Sequence, residues 1–113
     1  MSDAALFPYD GPRMLRETIE QALARVVDPE LGMSIVDVGL VYGVRAAGER
    51  VDVHLTMTSM ACPVTDLIVE EVENELDRRL PAQWLIHVEL VWEPPWTVER
   101  LSDRARRFMI AGG

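Results

Sequence analysis

One cysteine, Cys62, stands within Thr56-Met57-Thr58-Ser59-Met60-Ala61-Cys62-Pro63-Val64-Thr65-Asp66, and its place decides what chemistry it could do. The first N–H groups of a helix lack intrahelical partners and carry the positive end of the helix dipole. A thiol set there is stabilised as thiolate and can titrate well below the free value of roughly 8.5. Such a sulfur is a nucleophile and a soft metal ligand. The plain alternative is a small apolar residue that happens to begin a helix. Asp66, in the same first turn, favours the dipole but opposes the thiolate.

The flanking patterns put Cys62 at that position. Val51-Asp52-Val53-His54-Leu55-Thr56-Met57-Thr58 alternates apolar and polar residues and predicts a strand. The period then changes: Val64, Ile68, Val72, Leu76 and Leu80 form a helical stripe, thickened by Leu67 and Val69. Pro63 suits the first helical position, where its missing N–H costs nothing.

A second chemical stretch is Asp28-Pro29-Glu30-Leu31-Gly32. Its residue types make it a turn. It is either a connector whose Asp28 bonds local N–H groups, or a pair of carboxylates facing a metal or a partner. The histidines offer less. His54 and His87 each fall on a strand, and a Cys62–His54 catalytic pair would need a spatial contact that spacing does not supply.

The remaining elements follow in order. Residues 1–11 show no period and are expected to form a loose arm, leaving 12–113 as a single domain with a C-terminal helix. Leu15, Ile19, Ala22, Leu23 and Val26 predict an amphipathic helix that ends near Val27, because Pro29 disfavours helical geometry at Asp28. Leu40 to Val44 predicts the first strand, with Leu40, Tyr42 and Val44 on one face and a bulge or close backbone approach marked by Gly39 and Gly43. The short Arg45–Arg50 link makes a hairpin with the second strand. Leu85 to Trp92 predicts a third strand, parallel to the second because a helix crosses between them. In the tail, Thr97 is expected to cap a last helix, Trp96 to pack on Leu101 as a staple, and Leu101, Ala105 and Phe108 to form its apolar face. Trp96 and Pro95 are also candidates for a partner site. The fold expected is a two-layer α/β (α+β) domain, helix–strand–strand–helix–strand–helix, with a small mixed three-stranded sheet and helices on one face.

Composition narrows the function. A net charge of -8 argues against a nucleic-acid partner, since phosphate binding needs a basic surface. Arg100, Arg104, Arg106 and Arg107 gather late and read as one solvated helix face. A lone cysteine excludes an internal disulfide and suits a reducing compartment. With no apolar leader or membrane-length run, the expected location is the cytoplasm and no membrane partner is expected.

Four motifs in register carry a family resemblance: Asp28-Pro29-Glu30-Leu31-Gly32, Ile35-Val36-Asp37-Val38-Gly39-Leu40-Val41-Tyr42, Thr56-Met57-Thr58 leading to Cys62-Pro63, and Pro94-Pro95-Trp96-Thr97. Over about residues 14–109 the chain resembles the SufT-like and PaaD-like metal-sulfur cluster assembly factors, relatives of a eukaryotic cytosolic iron–sulfur targeting subunit. It lacks the cysteine-rich C-terminal segment typical of PaaD-like members, which favours the SufT-like branch. The resemblance implies a carrier, adaptor or targeting factor for iron–sulfur proteins rather than an enzyme. It implies a patch of Asp28, Glu30, Leu31, Thr58, Ser59 and Cys62, with an assembly scaffold and client apoproteins as partners, and a homodimer as an option. One thiolate cannot supply the usual four cluster ligands, so Cys62 is expected to give a single transient ligand to an iron–sulfur cluster or iron. The rival readings are an adaptor without thiol chemistry and a Cys62-nucleophile enzyme.

Overall fold

The computed structural model describes residues 7–58 and 62–112; the side chains of residues 62, 63 and 109–112 lie outside the description. In chain order the elements are β1 (Tyr9–Asp10), α1 (Arg13–Ala24), β2 (Val27–Asp28), β3 (Met33–Ser34), α2 (Ile35–Val38), β4 (Val41–Ala47), β5 (Arg50–Leu55), α3 (Cys62–Arg79), β6 (Leu85–Leu90) and α4 (Asp103–Gly112). A 3-10 turn at Val98–Arg100 precedes α4. The main sheet runs β1-β4-β5-β6, and β2 with β3 forms a separate antiparallel pair. This is the expected mixed α/β architecture, but the main sheet has one strand more than the sequence predicts, and the β2–β3 pair is unpredicted.

The extra strand comes from the arm. Tyr9 and Asp10 pair in parallel with Val44 and Arg45, and Phe7 is buried in the core. Residues 7–10 are therefore held, and the expectation of a loose arm is corrected over them. Residues 1–6 lie outside the described residues.

The core forms between one face of the sheet and the long helices. Val51, Val53 and Leu55 alternate inward from β5 and are fully buried, as are Ile19 and Leu23 of α1 and Val72 and Leu76 of α3. Burying each such side chain contributes about 1.5–3 kcal/mol. The ion pairs of Glu75 with Arg25 (3.6 Å), Arg78 (3.0 Å) and Arg79 (3.7 Å) involve partly exposed arginines. Such pairs contribute about 0.2–1 kcal/mol each, so the apolar stripe, not these pairs, fixes α3. Leu67 is 46% exposed, so it lies off the stripe.

Across the outer face of the sheet, Arg50 donates to both carboxylate oxygens of Asp52 at 3.1 Å. That bond holds the Asp52 carboxyl below its ordinary range. Beside it, the His54 ring lies 3.6 Å from the Glu89 carboxylate, a surface histidine of the kind its strand position predicts.

Four local differences have physical causes. The register shifts between Val41, opposite Leu55, and Gly43, opposite His54, so Tyr42 is the extra residue of a bulge. That bulge inverts the alternation: Val41 and Val44 are buried while Tyr42 is only half-buried, and the predicted Leu40–Tyr42–Val44 face does not form. Helix α1 ends at Ala24, before the predicted end, because Val27 and Asp28 leave to pair with β3. Residues 35–38, given no element by the sequence, form the short helix α2, capped by the Ser34 hydroxyl and closed by Gly39. At the other end, Ser102 rather than Thr97 caps α4: Ala105 N–H donates to the Ser102 hydroxyl at 3.0 Å, and Thr97 makes no side-chain cap. Of the predicted α4 face, Leu101 and Ala105 are buried but Phe108 is 58% exposed.

The β4–β5 hairpin forms as predicted. Its turn residues Gly48 (φ 58°) and Glu49 (φ 66°) both take the left-handed region that a two-residue hairpin turn requires. Strand β6 pairs in parallel with β5, also as predicted.

Candidate functional site

A run of main-chain hydrogen bonds brings the acidic turn to the end of β5. Ile35 N–H donates to Val26 at 2.9 Å, Leu40 N–H to Ile35 at 2.9 Å, and Thr56 N–H to Leu40 at 2.8 Å. The end of α1, the start of α2, the entry to β4 and the exit from β5 are thereby tied side by side. The turn between β2 and β3 hangs from the first of these ties, and the segment leading to Cys62 from the last.

Within the turn, Asp28 is 1% exposed and its carboxylate accepts the Glu30 N–H at 2.8 Å. Gly32 N–H returns to the Asp28 carbonyl at 2.7 Å. Asp28 thus does what the connector reading predicts: it organises the turn. Its neighbour faces outward. The Thr58 hydroxyl lies 3.5 Å from the Glu30 carboxylate, too long for a strong hydrogen bond but close enough to place the two groups on one surface. Leu31 is half-buried and packs on the core, anchoring the turn.

Of the residues expected to form the patch, the structure brings Asp28, Glu30, Leu31 and Thr58 together. Ser59 lies outside the described residues. Helix α3 begins at Cys62, four residues beyond Thr58, as the sequence predicts, while the Cys62 side chain is outside the description. Among the described residues no three His, Cys, Asp or Glu side chains converge to hold a metal ion.

Thr56 was not singled out by the sequence as a site residue, yet it is 1% exposed and its hydroxyl has no hydrogen-bond partner among the described residues. Buried polar groups are nearly always paired. The alternating strand pattern offers no signal for it, since a threonine at a strand end reads as ordinary.

The tail is used internally. The Trp96 indole N–H donates to the Val38 carbonyl at 2.8 Å, and Arg100 donates to the Gly39 carbonyl at 2.8 Å while lying over the Tyr42 ring. The Ser102 hydroxyl donates to Asp37 at 2.9 Å, and the Tyr42 hydroxyl to the Pro94 carbonyl. Arg104 pairs with Asp37 at 3.8 Å, and Arg106 donates to the Glu99 carbonyl. Arg104, Arg106 and Arg107 stay exposed on α4 as the solvated face expected, whereas Arg100 lies outside α4 and clasps the tail to α2. Pro95 remains exposed. Trp96→Phe keeps the ring packing and removes the bond to Val38, and is expected to cost about 0.5–1.5 kcal/mol in urea unfolding. A variant as stable as the parent would show that this bond contributes nothing.

Geometry and sequence together define a class: a small two-layer α/β domain in which a buried-aspartate turn abuts the strand exit that leads into a cysteine-initiated helix. Residues 16–88 match the model of the iron-sulfur cluster assembly protein family, and the chain belongs to that family. It is 44% identical over 93 residues to the Fe-S protein maturation auxiliary factor YitW of Bacillus subtilis (strain 168), covering 81% of this chain and 90% of that protein. It is 43% identical over 82 residues to the Fe-S protein maturation auxiliary factor SufT of Staphylococcus aureus (strain USA300), covering 72% of this chain and 92% of the relative. Among solved structures, a domain of unknown function, DUF59, from Bacillus anthracis superposes with a TM-score of 0.78 at 38% identity, over 85% of this chain and 92% of that one. Among the described residues no helix is long and apolar enough to cross a membrane.

Proposed function

We propose that this chain is a maturation factor for iron–sulfur proteins that handles its cargo through Cys62, with the Asp28–Glu30 turn beside it. Iron or a cluster is the cargo and not a resident group. Cys62 gives one thiolate ligand, and the other ligands come from the donor scaffold, the client apoprotein or a second copy. A single exchangeable ligand suits handover, because four from one chain would hold the cluster. Glu30, the exposed carboxylate of the turn, offers the oxygen donor, while Asp28 fixes the turn that presents it. The chain acts as carrier and adaptor rather than as an enzyme, works in the cytoplasm, and engages assembly proteins and clients. The observation that carries this reading is the 3.5 Å approach of Thr58 to Glu30, which sets the acidic turn on the strand exit leading to Cys62.

The test is complementation. In host cells lacking this protein, the activity of iron–sulfur enzymes is measured after return of the parent chain or of Cys62→Ser at matched expression. The parent is expected to restore activity and Cys62→Ser to leave it at the deletion background. Equal rescue by both would replace cargo handling with an adaptor role free of thiol chemistry.

A further inference from the structure

Strand β6 ends the main sheet with an unsatisfied edge. Among the described residues it pairs only with β5 and in parallel, Leu85 N–H donating to Glu49 at 2.9 Å and Val91 N–H to Leu55 at 2.7 Å. Main-chain groups alternate sides along a strand in a parallel ladder. Leu85, His87 and Glu89 therefore face β5, while the N–H and C=O groups of Ile86, Val88 and Leu90 point away from the sheet. No described residue bonds to them from outside it. The side chains of these same three residues turn toward the core but are only half-buried. One more strand would satisfy both deficits at once.

The space for it exists. A groove of about 500 Å³ runs between Val88 and Leu90 on β6 and the Asp66, Val69, Glu70 and Glu73 flank of α3. Exposed edges of this kind are templates for strand addition. We infer that β6 takes up an extended, basic segment of a partner protein as an added strand, with Lys or Arg at alternate positions facing α3. The aliphatic stems of such residues would cover Val69, Val88 and Leu90, and their charged heads would meet Asp66, Glu70 and Glu73. A second copy of this chain fits worse. Pairing two β6 edges would set two acidic α3 flanks together in a chain of net charge -8. Docking here does not depend on what Cys62 ligates.

The full-length chain, labelled with nitrogen-15 and free of iron, is titrated with the acetylated peptide TKVKVRT and its charge-reversed counterpart TEVEVET. Amide exchange at Ile86, Val88 and Leu90 is expected to slow with the basic peptide, while His87 is unchanged. Glu70→Lys/Glu73→Lys is expected to weaken binding about two- to thirtyfold, the range for losing two exposed pairs. Spectra away from the groove show whether that variant is folded, and the acidic peptide on the parent chain repeats the charge test without it. Binding that leaves the three amides unchanged, equal binding of both peptides, or no saturation by about 1 mM would overturn the proposal. So would protection of the same amides that rises with protein concentration alone, which would assign the edge to a second copy.

Discussion

Gly39→Ala is expected to destabilise the protein by about 2–4 kcal/mol, one of the two largest effects we anticipate. Gly39 closes α2 at φ 84°, where an L side chain is strained. A Cβ there would also lie 2.4 Å from the Arg100 carbonyl oxygen and 2.7 Å from the Arg100 Cβ. The obstacle includes backbone, so it cannot swing aside; the whole tail from Trp96 to Ser102 has to move. Gly32→Ala separates the two causes. Gly32 has φ 70° with nothing within 4 Å of the added atom, so only the strain applies, about 1–2 kcal/mol. Urea unfolding of both variants reads the difference. If Gly39→Ala costs no more than Gly32→Ala, the tail does not rest against α2 in solution.

The second large effect concerns Asp28, where structure and function can be pulled apart. Asp28→Ala deletes a buried acceptor and strands the Glu30 N–H, an expected loss of about 1–3 kcal/mol with a loosened turn. Asp28→Asn retains an oxygen for that bond but no negative charge, and is expected to stay within about 1 kcal/mol of the parent. In the complementation assay Asp28→Ala is expected to fail through the turn. Rescue by Asp28→Asn equal to the parent would confine Asp28 to architecture and leave Glu30 as the carboxylate of the patch. Failure of a well-folded Asp28→Asn would make its charge part of cargo handling.

What could be read from the chain beforehand was whatever repeats or closes locally. The four-residue stripe from Val64 to Leu80 marked α3, the alternation from Val51 marked β5, and the crossover implied that β6 would be parallel. A bulge or close approach near Tyr42 was signalled by Gly43, but its consequence was not, since one added residue turns Tyr42 outward and Val41 inward while Leu40 and Val44 stay buried. Helix α2 is too short to show a period; only its punctuation, Ser34 and Gly39, was visible. The clasp of Trp96 and Arg100 on Val38 and Gly39 joins residues more than fifty positions apart through side-chain donors and main-chain carbonyls. Such bonds leave no pattern in either partner. For the site, spacing alone left Asp28 between connector and ligand, and the approach of Glu30 to Thr58 was implied by the family resemblance and not by local sequence.

That clasp also governs how changes in this protein combine. Asp37, Val38 and Gly39 are gripped by the tail, and Ser34 and Ile35, only a turn away, anchor the acidic turn and the end of α1. Residues sharing a rigid block do not vary independently: their double variants depart from additivity by about 0.5–3 kcal/mol. A substitution at Trp96 that slackens α2 makes a later one at Gly39 cheaper, because the contact to be broken is already gone. Tail and turn thus answer to substitution as one unit, and a change in the tail alters the cost of a change in the turn.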